Sequence, residues 1–236
     1  MKEGSRTVTP DERWLAAVWP FVREQLPAAP GRIVEIGCGP QGGFVPMMTS
    51  AGYQASGIDP QAPQGPAYIQ AEFERCELPG AADAIVACTS LHHVNDLGRV
   101  LDLVAQALAP GAPVVVVEWA IERFDEATAR WCFSRLPAID DEPGWLHERL
   151  AQWRDSGRPW GAYCKFWAET ERLHNGEDIV AELTGRFAAQ SLAYGPYFFP
   201  DLARTTEADE QAAIDSGEIQ ANRIMFVGRA AQEMSP

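Results

Sequence analysis

The sequence predicts an open, mostly parallel α/β sheet. Three observations lead there. Short β-branched runs alternate with stretches of helical periodicity over residues 11–117. A glycine cluster, Gly37, Gly39, Gly42 and Gly43, follows the first such run. The last run of this half, residues 113–117, is apolar throughout, as expected of a strand covered on both faces.

Residues 11–25 read as a helix, with Trp14, Val18, Phe21 and Val22 on one face and Pro27 and Pro30 ending it. Residues 32–36 (RIVEI) read as a buried strand stopped by the glycines. A helix fits residues 44–49, with Pro46 tolerable in its first turn. Residues 53–58 form a second strand, closed by Asp59-Pro60. Residues 60–66 (PQAPQGP) cannot be helical, and residues 67–70 offer a third strand. A parallel crossover usually needs a dozen or more residues, so this third strand is expected to be short or poorly paired. Residues 84–88 make a fourth strand. Residues 96–108 are the best helix, with Asp96 as cap, a stripe of Val100, Leu101, Val104 and Leu108, and Pro110-Gly111 as the stop. Residues 113–117 are the fifth strand.

Residues 120–187 break the rhythm and read as a helical insertion. Ala129, Cys132, Phe133 and Leu136 fit one helix, and Leu146, Leu150 and Trp153 a second. Tyr163, Phe166 and Trp167 start a third. The β pattern returns at residues 188–194 and 223–227, joined by an acidic, partly helical stretch at 207–218. The 236 residues then form a single domain, with a ligand-binding half at 30–119, the insertion, and two closing strands within 188–236.

A formal charge of −14 weighs against nucleic acid and anionic membrane surfaces as partners. The five cysteines show no Cys-x-x-Cys pairing, so neither a zinc site nor a disulfide framework is expected. Reduced thiols and a polar N-terminus suit the cytoplasm, and no apolar run is long enough for membrane insertion.

Ligands of an open parallel sheet bind beyond the carboxyl ends of its strands. After the first strand, Gly37-Cys38-Gly39 lets the backbone turn tightly and lets a ligand approach the main chain. After the second, Asp59 can accept hydrogen bonds from both hydroxyls of a ribose. Together they point to a cofactor containing a nucleoside. The acid lies 20 residues after Gly39, a spacing that also suits NAD.

The segment Glu35-Ile36-Gly37-Cys38-Gly39-Pro40-Gln41-Gly42 resembles the first motif of class I S-adenosylmethionine (SAM) methyltransferases. Gly57-Ile58-Asp59-Pro60 is similar to the family's ribose-binding stretch. Residues 83–94 resemble its fourth strand, and Leu108-Ala109-Pro110-Gly111-Ala112 its proline–glycine turn, with Ala112 replacing the second glycine. The combination resembles the type 11, ubiquinone/menaquinone-biosynthesis-like branch, over residues 30–120. The resemblance implies a Rossmann-like seven-stranded sheet with an antiparallel last strand, SAM as cofactor and S-adenosylhomocysteine as product. It places Gly37, Cys38 and Gly39 against the methionyl part. Glu35 would orient the glycine turn or the cofactor's amino group, and Asp59-Pro60 would lie at the ribose. Glu72 would accept from the adenine amine, Phe73 would pack on the ring, and Thr89, Ser90 and Leu91 would line the cofactor. The family commonly has a helix between strands two and three, which residues 60–66 cannot supply.

Methyl transfer requires alignment and exclusion of water, with a base only for acidic acceptors. His92, slightly ahead of His93, and Glu118 at the end of strand five are the candidate bases; each can equally be structural. Six of the eight tryptophans lie in residues 119–167. Trp119, Trp131, Tyr163, Trp167 and Tyr197 are the candidate contacts for a small, apolar or aromatic acceptor. The bland reading makes them the core of the insertion. An NAD-dependent oxidoreductase is the competing enzyme reading, though no Tyr-x-x-x-Lys pair exists. A non-catalytic SAM-binding scaffold is the competing non-enzyme.

Overall fold

The computed structural model describes residues 8–76, 80–139 and 143–230. Helix α1 (Pro10–Gln25) is held at its start by a reciprocal cap. Thr9 Oγ1 accepts from the Glu12 amide, and the Glu12 carboxylate accepts from the Thr9 amide. Strand β1 (Arg32–Ile36), helix α2 (Val45–Ser50) and strands β2 (Gln54–Ile58) and β3 (Tyr68–Ile69) follow. Strand β4 (Ala84–Cys88), helix α3 (Leu97–Ala107) and strand β5 (Pro113–Trp119) complete the first half. Asp96 caps α3 by accepting from the Arg99 amide.

The second half contains α4 (Glu126–Phe133), α5 (Trp145–Ser156), α6 (Trp160–Glu171), α7 (Gly176–Arg186), β6 (Phe187–Gly195), α8 (Glu207–Asp215) and β7 (Arg223–Ala230). Seven strands form one sheet in the order β3-β2-β1-β4-β5-β7-β6. Strands β1 to β5 pair in parallel. Strand β7 enters antiparallel between β5 and β6, with Val115 opposite Val227 and Tyr194 opposite Ile224.

Side-chain alternation divides the sheet's two faces. Val34, Ile85, Val114 and Val116 point to the face covered by α3 and α7. Ile33, Val86, Val115 and Val117 point to the face covered by α1 and α2. Burial on both sides explains why β4 and β5 read as continuous apolar runs. A third cluster lies beyond the end of β5. It is aromatic, and α4, α5, α6 and residues 198–202 build it.

One expectation holds and two shift. Strand β3 is short, as expected, at two residues, because the connection from β2 carries no helix to hold it against the sheet. Strand β5 runs on to Trp119, since β7 pairs with it to its end. Of the insertion's helices only α4 to α6 gather round the aromatic cluster. Helix α7 packs Ile179 and Leu183 on the sheet beside α3, as an ordinary crossover helix before β6. No described helix is long and apolar enough to cross a membrane.

Candidate active site

The site begins at the end of β1. The Gly37 amide donates to Ile58 O at 2.8 Å, joining the loop to β2. Gly37 has φ +76°, and a Cβ there would lie 2.1 Å from the Cβ of Ser90. Only glycine lets the ends of β1 and β4 approach so closely. Ser90 Oγ completes the contact by donating to Ile36 O at 2.9 Å.

Glu35 lies under this loop and is 1% exposed. Its Oε2 accepts from the Phe44 amide at 2.8 Å, at the entry to α2. A Cβ on Gly43 would collide with this carboxylate at 2.3 Å, so a second glycine is obligatory. Burial pushes the Glu35 carboxyl up to about 8, against the pull of the Phe44 and Val45 amides. Asp59 leans over the same loop from β2. Its Oδ2 accepts from the Gly39 amide at 3.1 Å and its Oδ1 from the Gln61 amide at 2.6 Å. A Cβ on Gly39 would meet nothing within 4 Å, so this part of the turn opens into free space.

That space is a cavity of about 420 Å³, within the usual size of a small-molecule site. The floor is Glu35 and the Gly37-Cys38-Gly39 turn, with Asp59-Pro60 beside it. Glu72 and Phe73 form one side, and Thr89, Ser90 and His93 the other. Phe73 is buried, whereas the Glu72 carboxylate reaches outward to Arg75 Nε at 3.2 Å. Thr89 has φ +49°, a conformation that β-branched residues rarely adopt. Strained backbone of this kind concentrates at functional sites. Leu91 is the exception among the expected cofactor contacts. It is fully buried against the sheet core and does not line this cavity. The chain turns into a short 3-10 helix at Leu91, which aims that side chain inward.

Nothing in the sequence marks another wall. Asp11, Trp14 and Leu15 of α1 also line this cavity. Arg13 holds them there by donating to Pro200 O at 2.8 Å and Thr205 O at 2.7 Å. These contacts span nearly the whole chain, so no local motif records them.

Glu118 stands behind the wall. It is fully buried, and four donors surround its carboxylate. Oε1 accepts from the Ser90 and Leu91 amides, both at 2.6 Å. Oε2 accepts from the Trp119 amide at 2.9 Å and from His92 Nδ1 at 2.7 Å. Burial pushes its pKa up, but His92 and the amides outweigh burial and hold it below the usual carboxylate range. Glu118 lines neither cavity. The expected base Glu118 thus has its acceptor positions taken by three amides and His92, which leaves none facing the cavity.

A second cavity, of about 340 Å³, opens on the other side of the histidines. Trp119, Trp145, Trp167 and Tyr197 line it, together with His92 and Arg149. Trp119 and Tyr197 stack nearly parallel, at 9° and 5.6 Å between ring centres. The expected contacts Trp131 and Tyr163 do not line it. Trp131 is buried in the aromatic cluster beneath Arg135, and Tyr163 points its hydroxyl to Gln152. Glu210, read from sequence only as part of an acidic stretch, fixes the turn at Tyr197. Its carboxylate accepts from the amides of Tyr197, Phe198 and Phe199.

Among the described residues, His93 alone lines both cavities. Its ring lies 4.1 Å from that of His92. Partial desolvation, with His92 alongside, pulls its pKa below 6.5 and outweighs the opposing charges of Glu118 and Glu171. His93 is therefore neutral at neutral pH and able to accept a proton. Among the described residues no group of His, Cys, Asp and Glu is placed to hold a metal ion.

This strand order, with β7 antiparallel beside β5, is the Rossmann-like fold of class I methyltransferases. A family profile described as a methyltransferase domain matches residues 12–170, more than half of the chain, and the chain belongs to that family. A SAM-dependent methyltransferase from Mesorhizobium loti superposes with a TM-score of 0.55 at 22% identity, covering 90% of this chain and 97% of that one. The N-methyltransferase NodS from Bradyrhizobium japonicum, solved with S-adenosylhomocysteine, gives 0.50 at 14% identity, covering 94% and 88%. Geranyl diphosphate C-methyltransferase from Streptomyces coelicolor A3(2), solved with Mg2+, geranyl-S-thiolodiphosphate and S-adenosylhomocysteine, gives 0.52 at 12%, covering 92% and 76%. At such identities these likenesses show the fold. No curated protein matches the chain.

Proposed function

We propose that this chain transfers a methyl group from SAM to a small, flat organic molecule held in the aromatic cavity. The observation that carries the reading is the position of His93 between the two cavities. One cavity has the open glycine turn and the Asp59 carboxylate that a nucleoside cofactor needs. The other has aromatic faces that suit an apolar acceptor.

The residues present fit the cofactor. Gly39 leaves room where a side chain would intrude, and Asp59 keeps a half-buried carboxylate at the cavity edge. Asp59 would take the ribose hydroxyls, Glu72 the adenine amine and Phe73 the ring face. Gly37, Cys38 and Gly39 would lie along the methionyl part, with Glu35 beneath. SAM supplies an activated methyl on a cationic sulfur. The chain's own contribution is alignment and exclusion of water, with Trp14 and Leu15 closing one side. His93 takes the acceptor's proton when the methylated atom carries one. Glu118 holds the His92 ring, which flanks His93, and so keeps the partition between the cavities in place.

The charge of −14 favours a small-molecule acceptor over nucleic acid. Five free cysteines fit a reducing compartment, the cytoplasm. The four motifs of residues 30–120 ally the cofactor half with the ubiquinone/menaquinone-biosynthesis-like branch.

Thermal unfolding with SAM, S-adenosylhomocysteine, NAD and NADH tests this reading. A ligand at 100 times its Kd stabilises by about 2.7 kcal/mol. The two adenosyl ligands are expected to raise Tm, and Asp59→Ala to abolish the rise. A rise with the nicotinamides alone overturns the assignment. SAM binding without turnover on any acceptor favours the scaffold instead.

A further inference from the structure

The second cavity is not purely apolar. Arg149, from α5, lies in its wall with its guanidinium carbon 4.8 Å from the centre of the Trp167 ring. Its side chain is 12% exposed. Among the described residues its one carboxylate partner is Glu148, at 3.9 Å, beyond hydrogen-bond reach. The Tyr163 hydroxyl is its neutral partner. A guanidinium has five N–H donors, so most of them are left without an acceptor. These donors are open to an anionic group entering the cavity.

The remaining charged groups refine the choice. Glu171 is exposed and also lines this cavity, while Glu118 is sealed behind it. With one guanidinium and one carboxylate in the lining, a ligand with a single negative charge is favoured over a dianion. A cationic ligand is disfavoured, because Arg149 already covers a face of Trp167.

Resting on the methyltransferase reading, we propose that the acceptor is a planar molecule bearing one carboxylate, which Arg149 pairs with. Its ring then lies among Trp145, Trp167 and Tyr197, with the methylated atom directed toward His93. Arg149 is thus the residue that determines acceptor class.

Fluorescence titration in saturating S-adenosylhomocysteine tests this. The probes are 4-hydroxybenzoate, salicylate and indole-3-carboxylate, each beside its methyl ester, with benzylamine and geranyl diphosphate as other charge classes. At least one carboxylate is expected to bind about tenfold or more tightly than its ester, as a charge-assisted hydrogen bond implies. Arg149→Gln should abolish that preference, and Arg149→Lys should keep part of it. S-adenosylhomocysteine binding should stay unchanged in both variants. Equal binding of acid and ester overturns the proposal, as does tighter binding of benzylamine or geranyl diphosphate. A preference that survives in Arg149→Gln, or no carboxylate binding, does so as well. Failure to bind S-adenosylhomocysteine at all instead refutes the methyltransferase reading beneath it.

Discussion

His92 Nδ1 and Glu118 Oε2 meet at 2.7 Å behind the partition between the two cavities. The pair comes from two strand ends, β4 and β5, that lie side by side in the sheet. The carboxylate also gathers the amides of Ser90, Leu91 and Trp119. One buried charge therefore sets the course of both loops.

Glu118→Gln keeps an oxygen acceptor but loses the charge and turns one amide hydrogen toward a donor. A loss of roughly 1–3 kcal/mol in unfolding free energy is expected by urea titration at pH 7. In the wild type the Glu118 carboxyl lies below its ordinary 4.5 when folded. Its contribution is fully present above that value and is lost as pH falls below it. Glu118→Gln should therefore flatten the acid limb of stability under pH 4.5. An unchanged limb would show that the carboxylate is not held as an ion.

Glu35 works in the opposite direction. Its folded pKa is raised from 4.5 to about 8. Between those values the unfolded chain ionises at this site and the folded chain does not, so the site costs stability as pH rises. The limiting slope is about 1.4 kcal/mol per pH unit. Glu35→Gln keeps an acceptor for the Phe44 amide and should remove the slope, gaining on the wild type between pH 5 and 8. Parallel pH curves for the two proteins would contradict this.

In the proposed placement of the cofactor, the same proton should couple to its binding. A cationic amino group placed over Glu35 favours its ionised form. Calorimetry of S-adenosylhomocysteine binding at pH 7, in phosphate and in Tris, should show net proton release that Glu35→Gln abolishes. Equal enthalpies in both buffers would mean that the ligand's amine lies elsewhere.

Two glycines of one loop should separate stability from binding. Gly37→Ala places a Cβ 2.1 Å from that of Ser90, so β1 and β4 must part, and unfolding free energy should fall by about 2 kcal/mol or more. Gly39→Ala meets nothing within 4 Å, so only the strain of its φ of +60° remains, about 1–2 kcal/mol. Both should weaken S-adenosylhomocysteine binding, measured by thermal shift. Tight binding by Gly39→Ala would place the cofactor away from this turn.

His93 should titrate below 6.5 in an NMR pH series, because desolvation and His92 pull its pKa down. His93→Asn should leave S-adenosylhomocysteine binding within about twofold. With an acceptor that must lose a proton, it should lower kcat by about a hundredfold or more. Undiminished turnover would remove His93 as the base.

Local chemistry made much of the cofactor half legible. RIVEI, the glycines after it and Asp59 are contiguous signals, and the structure brings their side chains to one cavity. The PQAPQGP stretch forbids a helix by its prolines, and β3 is correspondingly short. Leu91 shows the limit of carrying roles by position, since one turn of 3-10 helix rotated it into the core. The aromatic residues of 119–167 were recognisable as a group, but not the choice among them. Trp145 and Arg149 line the second cavity while Trp131 and Tyr163 do not, because the packing of α4, α5 and α6 decides which helix face turns inward.

The sequence by itself determined the alternating strands and helices, the glycine turn and the acid that follows β2, since each depends on neighbours within a few residues. Tertiary structure alone decided the placement of β7 beside β5, the closure by α1 through Arg13 and the burial of Glu118 against His92. It also set His93 between two cavities. These depend on contacts between residues far apart in the chain, where side-chain packing and the pairing of buried polar groups choose among arrangements that local propensity leaves equal.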